Sequence, residues 1–234
     1  MIISFIIPCY NEEKYILDCI RSIRKHMWYV PYEIIVVDNN CTDNTVSIAE
    51  LELVMVIKEP RKGVVFARQA GYEAATGRLI ANIDADSKIT DGWVWKAFSS
   101  LSNDNVVAVS GPLEYDGASF GLKIMTKLYY LLAKMSNDHI GVFLQGGNCM
   151  IKKKALDEVK GYDTSIAFYG EDTMTAKRIQ HLGKIVFNIH MVTTTSSRRL
   201  EEQGVIKTTW LYLTNYFSVT FKNKSTTNEY KDFR

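Results

Sequence analysis

No stretch of this 234-residue chain approaches the roughly 20 consecutive apolar residues that cross a bilayer, although 47% of its residues are apolar. Membrane contact is therefore expected to be peripheral. An excess of one charge is also missing. Lys and Arg number 28 against 26 Asp and Glu, a net +2 with no basic tract interleaved with aromatics, so nucleic acid is not expected as a partner. The four cysteines, Cys9, Cys19, Cys41 and Cys149, show no metal-ligand spacing, and the start Met1-Ile2-Ile3-Ser4-Phe5 lacks the basic region of a secretory leader. Reduced thiols in a cytoplasmic protein are the expectation. The turn after the first apolar run has no G-x-G-x-x-G and no Walker lysine loop, which argues against a dinucleotide or ATP held on a glycine-rich helix start.

What is present is an alternation of apolar runs and helical patterns. Ile2 to Pro8 is a continuous apolar run of the buried-strand type, after which Asn11, Glu12 and Glu13 open a helix with Ile16, Ile20, Ile23 and Met27 at helical spacing. Glu33 to Asp38 predicts a second strand, followed by a helix over Asp43 to Leu51 capped by Thr42 or Asp43. Leu53 to Glu59 predicts a third strand, Val64 to Ala75 a helix, and Arg78 to Asp84 a fourth strand. This rhythm implies an α/β protein with a mostly parallel sheet and helices on both faces. Ligands then belong at the carboxyl ends of the strands.

The polar clusters fall at those ends. Pro8-Cys9-Tyr10-Asn11-Glu12-Glu13 follows the first strand, Asp38-Asn39-Asn40-Cys41-Thr42-Asp43 the second, and Asp84-Ala85-Asp86 the fourth. Residues i and i+2 of an extended strand point to one side, so Asp84 and Asp86 leave the strand end on one face. Paired oxygen ligands suit Mg2+ or Mn2+, which keep positions open for substrate phosphate oxygens. Alone, such a tripeptide is as readily a solvated strand end; its company points to a nucleotide pocket.

These motifs, in this order, resemble the family 2 glycosyltransferases of the GT-A fold. The resemblance runs from Ile6 to about Gly183, through Lys62-Gly63, Ala67-Arg68-Gln69-Ala70-Gly71, Gly146-Gly147-Asn148, Gly161-Tyr162-Asp163 and Gly170-Glu171-Asp172. It implies one domain over residues 1–222, with a nucleotide-sugar half (1–110), an acceptor and catalytic half (111–195), a helical segment (196–222) and a polar, loose tail (223–234). Pro8 and Glu12 would frame the base and ribose, Asp38 would accept the nucleobase imide, and Asp84 would touch ribose or metal. Tyr10, Asn40, Lys62, Arg68, Ala85 and Gly147 would complete the nucleotide-sugar site, and Asp86 would bind the cation.

By the same resemblance, Glu171 and Asp172 are the catalytic acid pair, with Asp172 as general base and Glu171 as an acceptor-binding or orienting group. On its own, an acid pair at a helix start is a dipole-favoured terminus. The implied reaction moves a sugar from a nucleotide donor, UDP above others, to a glycan or lipid-linked acceptor with inversion. Two departures matter. Asn39-Asn40-Cys41 stands where many members have a second acid, glycine and serine. Thr195-Ser196-Ser197-Arg198-Arg199-Leu200 replaces the Gln-x-x-Arg-Trp of processive synthases, so one sugar per encounter is expected. Arg198 and Arg199 would grip the diphosphate or an acceptor phosphate. His190 is a weaker candidate for the cation, because a lone His is usually structural.

Two apolar patterns remain. Phe120, Ile124, Leu128, Leu131, Leu132 and Met135 follow helical spacing and predict a core stripe. Trp210, Leu213, Phe217 and Phe221 do the same within 207–224, flanked by Lys207, Lys222 and Lys224; packing on the domain and docking on the cytoplasmic membrane face are both open. A polyprenyl-phosphate sugar synthase and a catalytically silent nucleotide-sugar-binding protein are the alternative functions.

Overall fold

The computed structural model describes residues 2–27, 29–140, 143–166 and 169–226. The first apolar runs become parallel strands β1 (Ile3–Cys9), β2 (Tyr32–Asp38), β3 (Met55–Lys58) and β4 (Leu79–Ile83). Strands β6 (Val106–Ser110), β8 (Asn148–Lys152) and β9 (Lys184–Phe187) extend them into a seven-stranded sheet ordered β3-β2-β1-β4-β8-β6-β9. Only β8 runs antiparallel, paired with β4 on one side and β6 on the other. A second sheet of β5 (Ser87–Ile89), β10 (Thr193–Thr195) and β7 (Leu113–Tyr115) stands beyond the Asp84-Ala85-Asp86 corner.

Strand alternation divides the core between the two faces of the large sheet. Ile3, Phe5 and Ile7 of β1 pack with Ile16, Cys19, Ile20 and Ile23 of α1 (Ile16–His26) and with Trp93 of α4 (Trp93–Leu101). On the opposite face Ile6, Ile35 and Val37 meet Val65 and Ala67 of α3 (Val64–Ala74), Leu156 of α6 (Lys153–Glu158) and Ile179 of α7 (Glu171–Ile179). Burial of such side chains contributes about 2 kcal/mol each, and the period of two in β1 and β2 is what lets one strand serve both layers.

The predicted elements are present with shifted ends. Asn11 takes a left-handed φ of 52°, so α1 starts at Ile16 instead of at Glu12. Leu53 has a φ of 53° in the turn before β3, which shortens that strand. Helix α2 (Thr45–Leu51) begins after Asp43, whose Oδ1 accepts the Thr45 N–H at 3.0 Å.

The larger correction concerns α5 (Phe120–Ile140). Its predicted core stripe is exposed: Phe120, Ile124, Leu128, Leu131, Leu132 and Met135 all face outward. The helix packs instead through its opposite side, where Tyr130 and Ala133 are buried against Phe143, Phe187 and Leu113. Aromatic and small residues at helical spacing won the inward face over the Leu-rich stripe. The C-terminal segment forms α8 (Arg198–Gln203) and α9 (Val205–Lys222). Val219 and the carbonyls of Val219 and Thr220 hold α9 on α7 through Met174 and the Lys177 ammonium, while Trp210, Phe217 and Phe221 stay exposed. Among the described residues no helix is long and apolar enough to cross a membrane. Of the expected tail, residues 227–234 lie outside the described residues.

Candidate active site

A cavity of about 630 Å3 opens at the carboxyl ends of β1 and β4. Its polar wall carries Pro8, Tyr10, Glu12, Lys62, Arg68, Asp84, Ala85, Asp86, Gly147, Glu171, Asp172, Arg198 and Arg199, residues drawn from every part of the chain. Asp38 and Asn40 sit beside it at the end of β2. The Asp38 Oδ1 accepts the Cys41 N–H at 2.7 Å, and the Asn40 amide donates to the Pro60 carbonyl at 2.9 Å. His190 is not brought in. It is exposed in the turn after β9, its N–H donating to Asn188 Oδ1.

Asp84 and Asp86 lie in the turn between β4 and β5, outside the strand expected to include Asp84. The Asp84 N–H points to the Gly147 carbonyl at 3.4 Å, and the Asp86 carbonyl accepts the Ser196 N–H at 3.3 Å. The Gly146-Gly147 turn is built around the acidic side chains. A Cβ on Gly147 would lie 2.0 Å from Asp84 Oδ2, and one on Gly146 would lie 2.6 Å from Arg68 Nη1. Only residues without a side chain leave room for both groups.

Arg68 is the hub of the inner wall. Reaching from α3, it donates from Nη1 to Glu171 Oε1 at 2.7 Å and from Nη2 to Asp84 Oδ1 at 3.2 Å, with its own side chain only 4% exposed. Burial by itself would weaken its charge; Glu171 and Asp84 more than offset this and hold the guanidinium protonated. Arg198 plays the corresponding part at the outer wall, between Glu12 Oε1 at 2.5 Å and Asp86 Oδ2 at 3.1 Å. Thr195 adds a hydroxyl donated to Asp86 Oδ1 at 3.3 Å. Arg199 donates to the hydroxyl of Tyr212, another lining residue, at 2.7 Å. Lys62 stands over the Tyr10 ring at 4.3 Å.

Asp172 differs from its neighbour. Gly170, at a φ of 102°, sets the start of α7 so that Glu171 swings to Arg68 while Asp172 faces the cavity. Its Oδ1 accepts the Thr173 N–H at 2.7 Å and its Oδ2 the Gly146 N–H at 3.3 Å. Loss of hydration, then the Glu171 charge, push its carboxyl up to about 7, with Arg68 pulling in the other direction. A carboxyl poised there can take a proton near neutrality, which one at the ordinary value does poorly.

The donor set around Asp86 fits a hard divalent cation. Asp84 and Asp86 offer oxygen alone, and Glu12 and Asp86 already gather around a positive group, the Arg198 guanidinium. No cluster of three or more His, Cys, Asp or Glu side chains converges among the described residues. Two protein carboxylates suit an ion that takes its other ligands from phosphate and water.

Sequence reasoning missed several lining residues. Asn39, passed over as a departure from the family pattern, is buried and ties the loop together: its amide donates to the Glu59 and Arg61 carbonyls at 2.8 and 2.7 Å, and its Oδ1 accepts the Gly63 N–H at 2.8 Å. Beyond Asp172 the wall becomes apolar and aromatic, with Leu122, Met125 and Tyr129 of α5 facing Trp210, Leu213 and Tyr216 of α9. Trp210 and Leu213 belong to the stripe legible in the sequence, but that it lines a cavity with Leu122, Met125 and Tyr129 depends on the tertiary fold.

Comparison with known proteins identifies the family and the fold. The family model described as "Glycosyl transferase family 2" matches residues 4–160. The glycosyltransferase AglE of Haloferax volcanii is 31% identical over 120 residues, covering 48% of this chain and 40% of that protein. The chain thus spans about two fifths of the length of the curated relatives it matches. Among solved structures, a mannosyltransferase from Pyrobaculum calidifontis, in complex with GDP-Man and Mn2+, shares the fold with a TM-score of 0.74 at 20% identity, over 94% of this chain and 63% of that one. The glucosyl-3-phosphoglycerate synthase of Mycobacterium tuberculosis, in complex with Mn2+ and UDP-glucose, gives a TM-score of 0.64 at 21% identity, over 90% and 77%.

Proposed function

The chain belongs to glycosyl transferase family 2 and has the GT-A fold, and from that premise we propose that it transfers one sugar per encounter, with inversion, from a nucleotide-diphosphate sugar to an acceptor hydroxyl. The observation that supports this reading is one cavity lined by Asp84, Asp86 and an Asp172 carboxyl raised to about 7. With a donor diphosphate beside Asp86, Asp172 would be the base available in the same cavity to the acceptor hydroxyl. The acceptor oxygen forms the new bond to the anomeric carbon as the bond to the phosphate oxygen breaks, and the hydroxyl proton passes to Asp172. Glu171 and Arg68 fix the start of α7 and hold Asp172 in place.

A divalent cation on Asp86 and Asp84 would supply charge neutralisation for the departing nucleoside diphosphate. Asp38, which accepts from the Cys41 N–H and the Cys41 thiol, retains carboxylate lone pairs that suit a uracil imide and hence a UDP-sugar. The UDP-glucose and Mn2+ held by the mycobacterial synthase are consistent with this, and the GDP-Man of the archaeal mannosyltransferase makes guanine the competitor. A lipid phosphate acceptor would be anionic already and would have no need of a base near 7, which favours a hydroxyl nucleophile over the polyprenyl-phosphate synthase reading.

Calorimetry tests the donor half of the proposal. UDP binding is expected to require Mn2+ or Mg2+, to disappear with EDTA and to be lost in Asp86→Ala with the fold intact. Unchanged affinity for UDP and GDP in EDTA would remove the cation from the reading. Proton NMR of the product then reads the anomeric configuration.

A further inference from the structure

Ten of the seventeen large apolar side chains exposed among the described residues lie on α5 and α9. On α5 they form one broad face. Phe120, Ile124, Leu128, Leu131, Leu132 and Met135 recur at steps of three and four, and Lys123, Lys127 and Lys134 fall along one edge of that face. Through residue 137 this helix has no acidic residue, and α9 has none at all while carrying Lys207 and Lys222. On α9, Trp210, Phe217 and Phe221 share a second stripe, the two Phe rings stacked at 6.4 Å. In a chain whose net charge is only +2, an apolar strip edged by lysines and nearly free of acids is a concentrated feature.

We propose that the outer face of α5, with the Trp210 end of α9, docks this protein on an anionic lipid surface. Three observations favour lipid over a second copy of the chain. Along α5 through residue 137 and along α9 the charge is of one sign, complementary to acidic head groups and repulsive toward its own copy. Helix α5 has the pattern of a helix lying in an interface, a wide apolar face with lysines at its border. The face also runs into the active-site cavity, because Met125 and Trp210 are both exposed and line it. A protein seated here would close that rim, whereas a bilayer would present to it acceptors with a polar head and an apolar tail. The inference goes beyond the catalytic reading and stands without it.

Flotation of the chain with phosphatidylcholine vesicles, with and without phosphatidylglycerol, tests the proposal at low and high salt. Wild-type protein is expected to float with the anionic vesicles, less with neutral ones, and less again at high salt. The double variant Leu128→Glu/Leu131→Glu, on side chains outside the cavity, is expected to lose binding by about tenfold or more, and Lys123→Glu/Lys127→Glu to lose the preference for acidic lipid. Circular dichroism and calorimetry with UDP check that each variant is folded and binds nucleotide as wild type does. Wild-type protein left at the bottom of the gradient with anionic vesicles overturns the proposal, as do variants that float unchanged. Light scattering that finds a dimer dissolved by Leu128→Glu/Leu131→Glu assigns the face to a second copy instead. A protein that floats but binds no nucleotide counts against the donor reading alone.

Discussion

Arg68 and Glu171, 103 residues apart in sequence, meet at 2.7 Å in the wall of the cavity. Removing the cation from such a pair strands a charge in a place with little water, which costs about 3 to 5 kcal/mol. Arg68→Met, which keeps the stem volume, is expected to destabilise the fold by that order in urea titration. Adding Glu171→Gln is expected to return part of the loss, since the stranded charge is then gone. Equal stability of Arg68→Met and wild type would show that the pair is incidental.

On the proposed mechanism the acid pair divides its labour. Asp172→Asn is expected to lower kcat by about a hundredfold or more with little change in donor KM, because proton removal matters only in the transition state. Glu171→Gln is expected to retain more of kcat. Steady-state kinetics showing the reverse order would move the base to Glu171.

Asp172 acts as a base only when ionised, so kcat is expected to rise with pH and level off above about 7, the value to which its carboxyl is pushed. The Glu171 charge is one cause of that rise, so in Glu171→Gln the acid limb moves to lower pH. Stability has the opposite slope. Between the ordinary carboxylate range and 7 the folded state holds the extra proton, and this contribution is lost as pH climbs through 7. Asp172→Asn is therefore expected to melt higher than wild type above neutrality, with the gap narrowing as pH falls and closing below about pH 4, the ordinary carboxylate value. Matched pH profiles of turnover and of melting temperature check both signs.

Gly147→Ala is a test of shape. The added methyl would stand 2.0 Å from Asp84 Oδ2, so the carboxylate must leave its place. Metal-dependent UDP affinity is expected to fall by about tenfold or more while the melting temperature moves little, since the displaced group faces a cavity. Calorimetry beside thermal denaturation separates this from simple unfolding.

Much of the nucleotide side was legible in the sequence because it follows from local rules. Ile3 to Cys9 reads as a buried strand, and Leu79–Ile83 as one that delivers Asp84 and Asp86 to its carboxyl end, although the chain turns there, with the Ser87 N–H on the Asp84 carbonyl at 3.0 Å, so the expected strand alternation does not carry through Asp86. The acceptor side was not. Whether Leu128 or Tyr130 turns inward on α5 depends on what stands opposite, and Phe187 and Phe143 arrive from other parts of the chain to stack on Tyr130. Asn39 was passed over for a related reason: its value lies in reaching the carbonyls of Glu59 and Arg61, a contact that no one-dimensional pattern encodes.

The position of β8 bears on how the molecule is made. The antiparallel strand that joins β4 to β6 is supplied only at Asn148–Lys152, after both neighbours have left the ribosome. Until then β4 and β6 are strangers, each with a bare edge of unpaired amides, and neither Gly147 nor the α7 acids exist to meet Asp84 and Arg68. Pairings this distant in sequence are slow to find, and the interval before they close is when exposed strand edges stick to one another. The nascent chain thus waits, incomplete, for a five-residue keystone, and agents that shield hydrophobic edges during synthesis should raise its yield more than any change to the finished site.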